Sequence, residues 1–239
     1  MSLEDLFCDV DEFCRVFLPA WHRWLLPDGT RQRRRTSRLT LSEIMTILID
    51  FHQAQYRNFK AFYLLHLCRH GRDEFPNLLS DNRFVALIPS ALMPLCLYLH
   101  TRRGEDTGIA FIDATSRVVC HNRRIRGHRV FKNVARRGKT SLGWFYGFKL
   151  HLVVNDRGEL LAFQITPGNV DDRRPVNELT QGLTGKRVGD RGYISQRLFK
   201  VLWDRGLQLI PKLRKNMHNK LMPLADKLLL RKRAIIETI

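Results

Sequence analysis

The chain has 239 residues, of which 44% are hydrophobic and 27% are charged, and this composition excludes a disordered tail or a fibrous array. Its length allows one large or two modest domains. The 41 Lys and Arg residues outnumber the 23 Asp and Glu residues, which leaves a formal net charge of +18. Because so strong a positive field favours a polyanion, we expect nucleic acid as the partner, with plain solvated surfaces as the alternative.

Export and membrane insertion are not expected. The N-terminus is acidic from Glu4 and lacks a basic region followed by an apolar run, so it does not resemble a secretory signal. The longest apolar stretch, residues 86–99, contains Pro89 and Pro94 and is too short to span a bilayer. The five scattered cysteines form no CxxC pair, which is typical of a reducing compartment. The sequence therefore predicts a cytoplasmic protein without a membrane partner.

The first 104 residues predict a mainly helical domain. Thr40-Leu-Ser-Glu43 has the pattern of a capping box, and the apolar side chains after it recur on one helical face. A second helix is expected over residues 56–67. The prolines at 76, 89 and 94 are expected to interrupt the chain between this helix and the end of the domain.

Residues 105–239 predict an α/β domain with a mixed sheet flanked by helices. Ile109-Ala-Phe-Ile-Asp113 indicates a buried strand that ends in an acid, and residues 144–154 and 159–165 indicate a hairpin. The expected remainder is a helix over 174–183, a strand over 186–190, a helix over 195–205, a strand over 207–211 and a helix over 224–238. If the first and fourth strands are neighbours, Asp113 and Asp190 meet at one edge of the sheet.

Carboxylates placed in this way suit phosphodiester cleavage. That reaction needs charge neutralised on an in-line transition state, which two divalent metal ions achieve. Mg²⁺ takes oxygen ligands and keeps several waters, so a few carboxylates suffice. Asp113, Asp190 and Glu237 form a candidate metal site of this kind. Taken alone, each acid has a simpler explanation, because Asp190 could serve a turn and Glu237 could be a surface acid on a terminal helix.

Five motifs occur in order along this half of the chain. They are Phe111-Ile-Asp-Ala-Thr115, Gly143-Trp-Phe-Tyr-Gly-Phe-Lys-Leu-His151, Thr166-Pro-Gly-Asn-Val-Asp-Asp-Arg173, Val188-Gly-Asp-Arg-Gly-Tyr193 and Arg231-Lys-Arg-Ala-Ile-Ile-Glu237. Together with Ser42-Glu-Ile-Met-Thr-Ile47 they resemble the DDE transposases of bacterial insertion sequences, most closely insertion-sequence family 982, with a relation to families 4 and 5.

The resemblance implies a ribonuclease H-like catalytic domain in which Asp113, Asp190 and Glu237 are catalytic and hold Mg²⁺ or Mn²⁺, as two ions. It implies cleavage at the element's ends and transfer of the freed 3′-hydroxyl into target DNA. The expected partner is double-stranded DNA, as terminal inverted repeats and target, bound by a homodimer, with the N-terminal domain gripping the ends.

The related pattern has a Tyr three residues before the Arg and a Lys seven residues after the Glu. This sequence has Leu230 at the first position and stops at Ile239. We therefore expect a truncated copy whose cleavage is weak.

The segment from Arg117 to Lys149 carries ten Lys or Arg residues and no acid, and nine of the ten lie between the first two predicted strands. We expect a basic, exposed loop there that follows DNA phosphates, and Lys149 and Arg233 are further candidates for phosphate contact. The predicted DNA-binding side chains of this loop are Arg123, Arg124, Arg126, Arg129, Lys132, Arg136, Arg137 and Lys139. For Lys149 and His151 a plain exposed ladder is an equal alternative, whereas Trp144, Phe145 and Tyr146 are expected in the core.

Two other functions fit the same residues. A non-catalytic remnant would bind DNA with the same salt dependence and would not cleave it. A structure-selective nuclease would cut branched DNA without requiring a repeat sequence.

Overall fold

The computed structural model describes residues 2–25, 37–141, 143–212 and 222–237. The chain separates into two compact units, Met1–Thr101 and Arg102–Ile239. The sequence predicts the domain boundary after residue 104, which is three residues later than the boundary in the structure. Two short stretches rich in Arg and Lys, residues 31–36 and 213–215, lie outside the described residues.

The first unit is built from helices. They are α1 (Leu3–Leu25), α2 (Leu41–Gln53), α3 (Phe59–Ala61), a π-helical segment (Phe62–Leu67), α4 (Cys68–His70) and α5 (Asp81–Thr101). The predicted capping box is present before α2, because the Thr40 hydroxyl accepts from the Glu43 amide and the Glu43 carboxylate accepts from the Thr40 amide. The core of the unit is apolar and fully buried at Val10, Met45 and Phe62.

Helix α5 corrects the expectation that prolines break this region. It runs unbroken for 21 residues with Pro89 and Pro94 inside it. An 18-residue window of the helix has a mean hydropathy of 1.6 and is 22% buried, so its length and composition alone would allow it to cross a membrane. The same property occurs in the core helices of soluble proteins, and the finding is therefore weak evidence for a membrane span.

The second unit contains one six-stranded mixed sheet with helices. The strands are β1 (Ile109–Cys120), β2 (Arg136–Thr140), β3 (Gly143–Asn155), β4 (Leu160–Pro167), β5 (Gly185–Gly189) and β6 (Leu207–Pro211). The helices are α6 (Val176–Leu179), α7 (Gln196–Trp203), α8 (Leu224–Lys232) and α9 (Ala234–Glu237), with short 3₁₀ turns at Asn122–Gly127 and Arg191–Tyr193. The helix predicted over residues 174–183 is wrong in length, since α6 has only four residues.

The sheet order is β2-β3-β1-β5-β6, and β4 pairs with β3. The long strands β1 and β4 both run antiparallel to β3, whereas β5 lies parallel to β1 and β6 lies parallel to β5. One apolar cluster covers one side of this sheet and includes Ile112, Val153 and Leu202. A second cluster packs Ile236 with Phe111 and Val188, and thereby places the C-terminal helices against the central strands.

A buried ion pair ties the start of β1 to β5. The Arg187 side chain is 0% exposed, and its guanidinium lies 3.2 Å from both carboxylate oxygens of Asp106. Asp106 also accepts hydrogen bonds from the backbone amides of Thr184 and Gly108. These bonds fix the two segments of the chain that lead into β1 and β5.

The predicted C-terminal helix is interrupted at Arg233, which separates α8 from α9. The Lys186 ammonium lies 2.5 Å from the Asp226 carboxylate, whose side chain is only 3% exposed. This ion pair fixes α8 against β5. The break at Arg233 then directs that side chain toward the sheet instead of along a continuous helical face.

Candidate active site

The parallel pairing of β1 and β5 brings two acids together. Ile112 is the register partner of Gly189 in the neighbouring strand. Asp113 and Asp190 are the next residues along the chain, so both lie at the same end of this pair. The sequence predicts that β1 ends at Asp113, but the strand continues to Cys120 along its antiparallel partner β3.

One guanidinium bridges the two carboxylates. The Arg233 Nη2 atom lies 3.0 Å from Asp113 Oδ1, and its Nη1 atom lies 3.3 Å from Asp190 Oδ1. The Arg233 side chain is 11% exposed, against 27% for Asp113 and 49% for Asp190. The two acids therefore share a single, nearly buried cation.

The Asp113 carboxyl is partly removed from water. Burial raises its pKa, Arg233 and the Ala114 backbone amide lower it, and Asp190 raises it again, with a net increase. Partial burial thus destabilises the charged form of Asp113, and a nearby cation offsets part of this effect. A site of this type favours occupation by positive charge.

The Gly189-Asp190 segment is shaped by Tyr193. A Cβ atom built on Gly189 would come within 2.9 Å of the Tyr193 ring, so only glycine allows the ring to pack there. Tyr193 is 2% exposed, and burial, followed by the charges of Asp172 and Asp113, raises its pKa. The turn after β5 is therefore held by a buried aromatic ring that lies within electrostatic reach of several acids.

The Lys149 side chain of β3 stabilises the loop that follows β4. The Lys149 ammonium lies 2.7 Å from Asp172 Oδ1 and donates to the Val170 carbonyl at 2.8 Å. On the same strand, His151 is 1% exposed and hydrogen-bonds Thr166 at 2.8 Å. Neither side chain forms the exposed ladder considered from the sequence, and Lys149 is engaged in an ion pair within the protein.

The basic segment between β1 and β3 is exposed but is not simply a loop. It contains a 3₁₀ turn at Asn122–Gly127 and the short edge strand β2, which pairs with β3 because the chain returns antiparallel to it. The eight predicted DNA-binding side chains belong to exposed residues: Arg123, Arg124, Arg126, Arg129, Lys132, Arg136, Arg137 and Lys139.

Trp144 corrects another expectation. It is 55% exposed, whereas its neighbours Phe145 and Tyr146 are buried as predicted. The cationic groups of Arg137 and Lys139 lie 5.3 and 5.7 Å from the centre of its ring. This geometry is that of a cation–π contact on an edge strand, so the indole belongs to the basic surface.

Glu237 ends α9, and its side chain lies outside what the structure describes. Within the described residues no group of three or more His, Cys, Asp or Glu side chains is arranged to hold a metal ion. The geometry thus joins Asp113, Asp190 and Arg233. The position of the third acid stays a prediction.

The second unit matches a known protein family. The family model for the transposase DDE domain matches residues 103–239, which is more than half of the chain. The chain therefore belongs to the transposase DDE domain family. No curated protein matches it.

One solved structure with similarity to the chain is the piggyBac transposase in a synaptic complex with hairpin DNA. The TM-score is 0.46 and the sequence identity is 14%. The match covers 85% of this chain and 50% of that one, so the chain spans half the length of that transposase.

Proposed function

We propose that the protein cleaves DNA at the ends of an insertion sequence and transfers the freed 3′-hydroxyl into target DNA. The observation that supports this most directly is the pair of carboxylates on neighbouring strands, Asp113 within β1 and Asp190 directly after β5, held around one cation. The order and direction of the strands support a ribonuclease H-like arrangement of the domain. The particular insertion-sequence family, the homodimer on DNA and the cytoplasmic location remain predictions from the sequence.

The residues present fit a divalent metal. Both acids offer hard oxygen ligands, which Mg²⁺ and Mn²⁺ prefer. The Arg233 guanidinium already occupies the position of a cation between them. When bound there, one or two such ions would neutralise charge on the reacting phosphate and lower the pKa of an attacking water or hydroxyl.

The protein's own side chains have separate tasks in this proposal. Asp113 is fixed by its pairing with Leu152 of β3 and by the pairing of the preceding residue, Ile112, with Gly189 of β5. Asp190 is more exposed and follows the glycine that packs against Tyr193. Glu237 is proposed as the third ligand, from α9. Arg233 would release the acids as the metal binds and would then contact a phosphate oxygen.

Replacing Arg233 tests whether a bound metal ion takes the place of its guanidinium between the two acids. In Arg233→Gln the metal need not displace a guanidinium, and hydrogen bonds to charged groups stabilise by about 1.5–3 kcal/mol. We expect the Mn²⁺ concentration that gives half of the thermal shift to fall roughly tenfold. Differential scanning fluorimetry over a Mn²⁺ series measures it.

Arg231→Gln provides the control, because Arg231 is an exposed Arg two residues away. Its metal response should equal that of the unmodified protein. Unchanged or weaker Mn²⁺ binding in Arg233→Gln would contradict the exchange.

A cleavage assay on three DNA substrates distinguishes the candidate functions. The substrates are a duplex with the element's own ends, a duplex of scrambled sequence and a branched duplex, each with Mg²⁺ or with EDTA. The proposal predicts metal-dependent nicking at the element's ends only. Cutting of the branched duplex alone would identify a structure-selective nuclease, and binding without cutting would identify a non-catalytic DNA-binding protein.

The exposed basic segment should contribute much of the affinity for DNA. Each phosphate contact adds about 0.9 to the slope of log affinity against log salt on duplex DNA. Changing Arg123, Arg124, Arg136 and Arg137 together to Gln should therefore reduce the slope by roughly three to four units if each touches one phosphate. Fluorescence anisotropy at several salt concentrations gives the slope. An unchanged slope would place the DNA elsewhere.

A further inference from the structure

A concave site of about 480 Å³ lies beside the loop that follows β4 and the start of α7. Its polar lining consists of Asp171, Arg173, Arg174, Asn177, Ser195 and Arg197. The apolar side chains of Leu198 and Val201 complete the wall. Three arginines thus line one depression that contains a single carboxylate.

That carboxylate is already neutralised. Asp171 Oδ1 accepts from Arg173 Nε at 2.8 Å, and the second oxygen accepts from Arg173 Nη2, so the pair is bidentate. The Arg173 hydrogen bond lowers the pKa of Asp171 to about 2 against the opposing effect of burial. The positive charges of Arg174 and Arg197 remain, and within the described part of the chain neither has a carboxylate within ion-pair distance.

The other two polar groups of the wall have donors to spare. The Asn177 side-chain oxygen accepts from Arg205 at 2.6 Å, which leaves its NH₂ group to donate. The Ser195 hydroxyl oxygen accepts from the Leu198 amide at 3.3 Å, which leaves its hydrogen to donate. The available hydrogen-bonding groups of the site are therefore donors. A ligand that offers only acceptors and carries negative charge matches this set.

Arg205 shows how an arginine that serves only the fold behaves here. Its guanidinium donates to the Asn177 carbonyl at 2.9 Å and to the Thr180 carbonyl at 2.7 Å, joining α6 to the end of α7. Arg174 and Arg197 make no comparable bonds within the described residues. Both line the same depression.

The chain connects this site to the acid pair. Ser195 lies five residues after Asp190, across the turn that contains Tyr193. Asp171 precedes Asp172, which Lys149 holds and which, like Asp113, raises the pKa of Tyr193. One side of the depression is thus built on the segment that follows Asp190, and the other adjoins Asp172, which acts electrostatically on the same Tyr193 as Asp113 does.

We propose that this depression, lined by Arg174, Arg197, Asn177 and Ser195, anchors one phosphodiester group of the DNA strand that passes Asp113 and Asp190. Arginine, serine and asparagine donors are typical phosphate contacts in DNA complexes. Leu198 and Val201 provide an apolar surface for the attached deoxyribose. The inference rests on the proposed function, and it adds a fixed point that would position the strand for cleavage.

The test measures duplex binding in EDTA, so that it is independent of cleavage. A fluorescein-labelled duplex of arbitrary sequence is bound by the unmodified protein and by Arg174→Gln/Arg197→Gln at several salt concentrations. Because both arginines serve one phosphate, the slope of log affinity against log salt should fall by about 0.9, not by twice that. Over a tenfold rise in salt, the unmodified protein should lose about eightfold more affinity than the variant.

The charge-matched control is Arg157→Gln/Lys227→Gln, which changes two exposed cations away from the depression. Its slope should equal that of the unmodified protein. A slope that is unchanged in the test variant, or reduced equally in the control, would overturn the phosphate site while leaving the proposed function intact. If the unmodified protein binds duplex without salt dependence, the DNA function fails, and the site fails with it.

A second titration separates DNA from a free anion. Calorimetry with inorganic phosphate alone should show no binding that depends on Arg174 and Arg197. Binding of inorganic phosphate that the double variant abolishes, combined with an unchanged duplex slope, would identify an inorganic anion site and would overturn the DNA assignment.

Discussion

Replacing Asp113 by Asn is expected to lower the rate of DNA cleavage about a thousandfold or more, and to leave duplex affinity within about twofold. The loss of one ligand removes several kcal/mol of transition-state stabilisation, and about 1.4 kcal/mol corresponds to a factor of ten in rate. Affinity is retained because it comes from the basic surface. Asn keeps the size of the side chain and an oxygen that can accept from Arg233.

The rate comes from single-turnover cleavage of element-end DNA with Mn²⁺, and the affinity from anisotropy in EDTA. Asp204→Asn is the control, since Asp204 is an exposed acid of the same unit and the variant should cleave normally. Cleavage by Asp113→Asn at the normal rate would remove Asp113 from the active site. A parallel loss of folding, seen by circular dichroism, would mean that the residue is structural.

Replacing Asp106 by Ala is expected to destabilise the second unit by about 3–5 kcal/mol, because it leaves the buried Arg187 without its carboxylate. For a unit of this size, the melting temperature should fall by roughly 10 °C or more. Glu105→Ala, at the exposed preceding position, should melt normally. In Asp106→Ala/Arg187→Met the buried charge is also removed, so part of the stability should return. Equal melting of all variants would contradict a stabilising role for this ion pair.

Asp106 also predicts how stability responds to acid. Burial raises the pKa of its carboxyl, but the Thr184 backbone amide and Arg187 outweigh this effect, and the net pKa is below the usual 3.8. The stabilising contribution is therefore fully present above the ordinary pKa and is lost as the pH falls through the lower folded value. The difference in melting temperature between the unmodified protein and Asp106→Ala should consequently shrink below about pH 4.

The sequence predicts where the central strands lie along the chain, because each is a short run next to turn residues; the run at 109–113 is apolar up to its acid, and the run at 186–190 is short and ends in Gly-Asp. It misplaces elements where tertiary contacts override local signals. Strand β2 is rich in Arg and Lys, and only pairing with β3 makes it a strand. In α5 the prolines indicate breaks, yet the helix continues through Pro89 and Pro94.

The acid pair is accessible to sequence reasoning because each acid is the last residue of a short predicted strand, at 109–113 and 186–190. The sequence does not predict the bridge that Arg233 forms between the two acids. This bridge depends on the interruption between α8 and α9, which the continuous helical periodicity of the sequence conceals. Arg187 is concealed in a similar way. An Arg in a basic protein gives no sign of complete burial, and only the pairing of β5 with β1 brings it to Asp106.

The metal position at Asp113 and Asp190 is tested most directly by mapping with Fe²⁺ in place of Mg²⁺. With ascorbate and peroxide, bound Fe²⁺ generates radicals that cut the polypeptide close to the ion, and mass spectrometry locates the cuts. We expect cuts close to residues 113 and 190 that excess Mg²⁺ suppresses and that Asp190→Asn lacks. Cuts at other positions only, or a pattern that Asp190→Asn leaves unchanged, would contradict a metal site formed by these two acids.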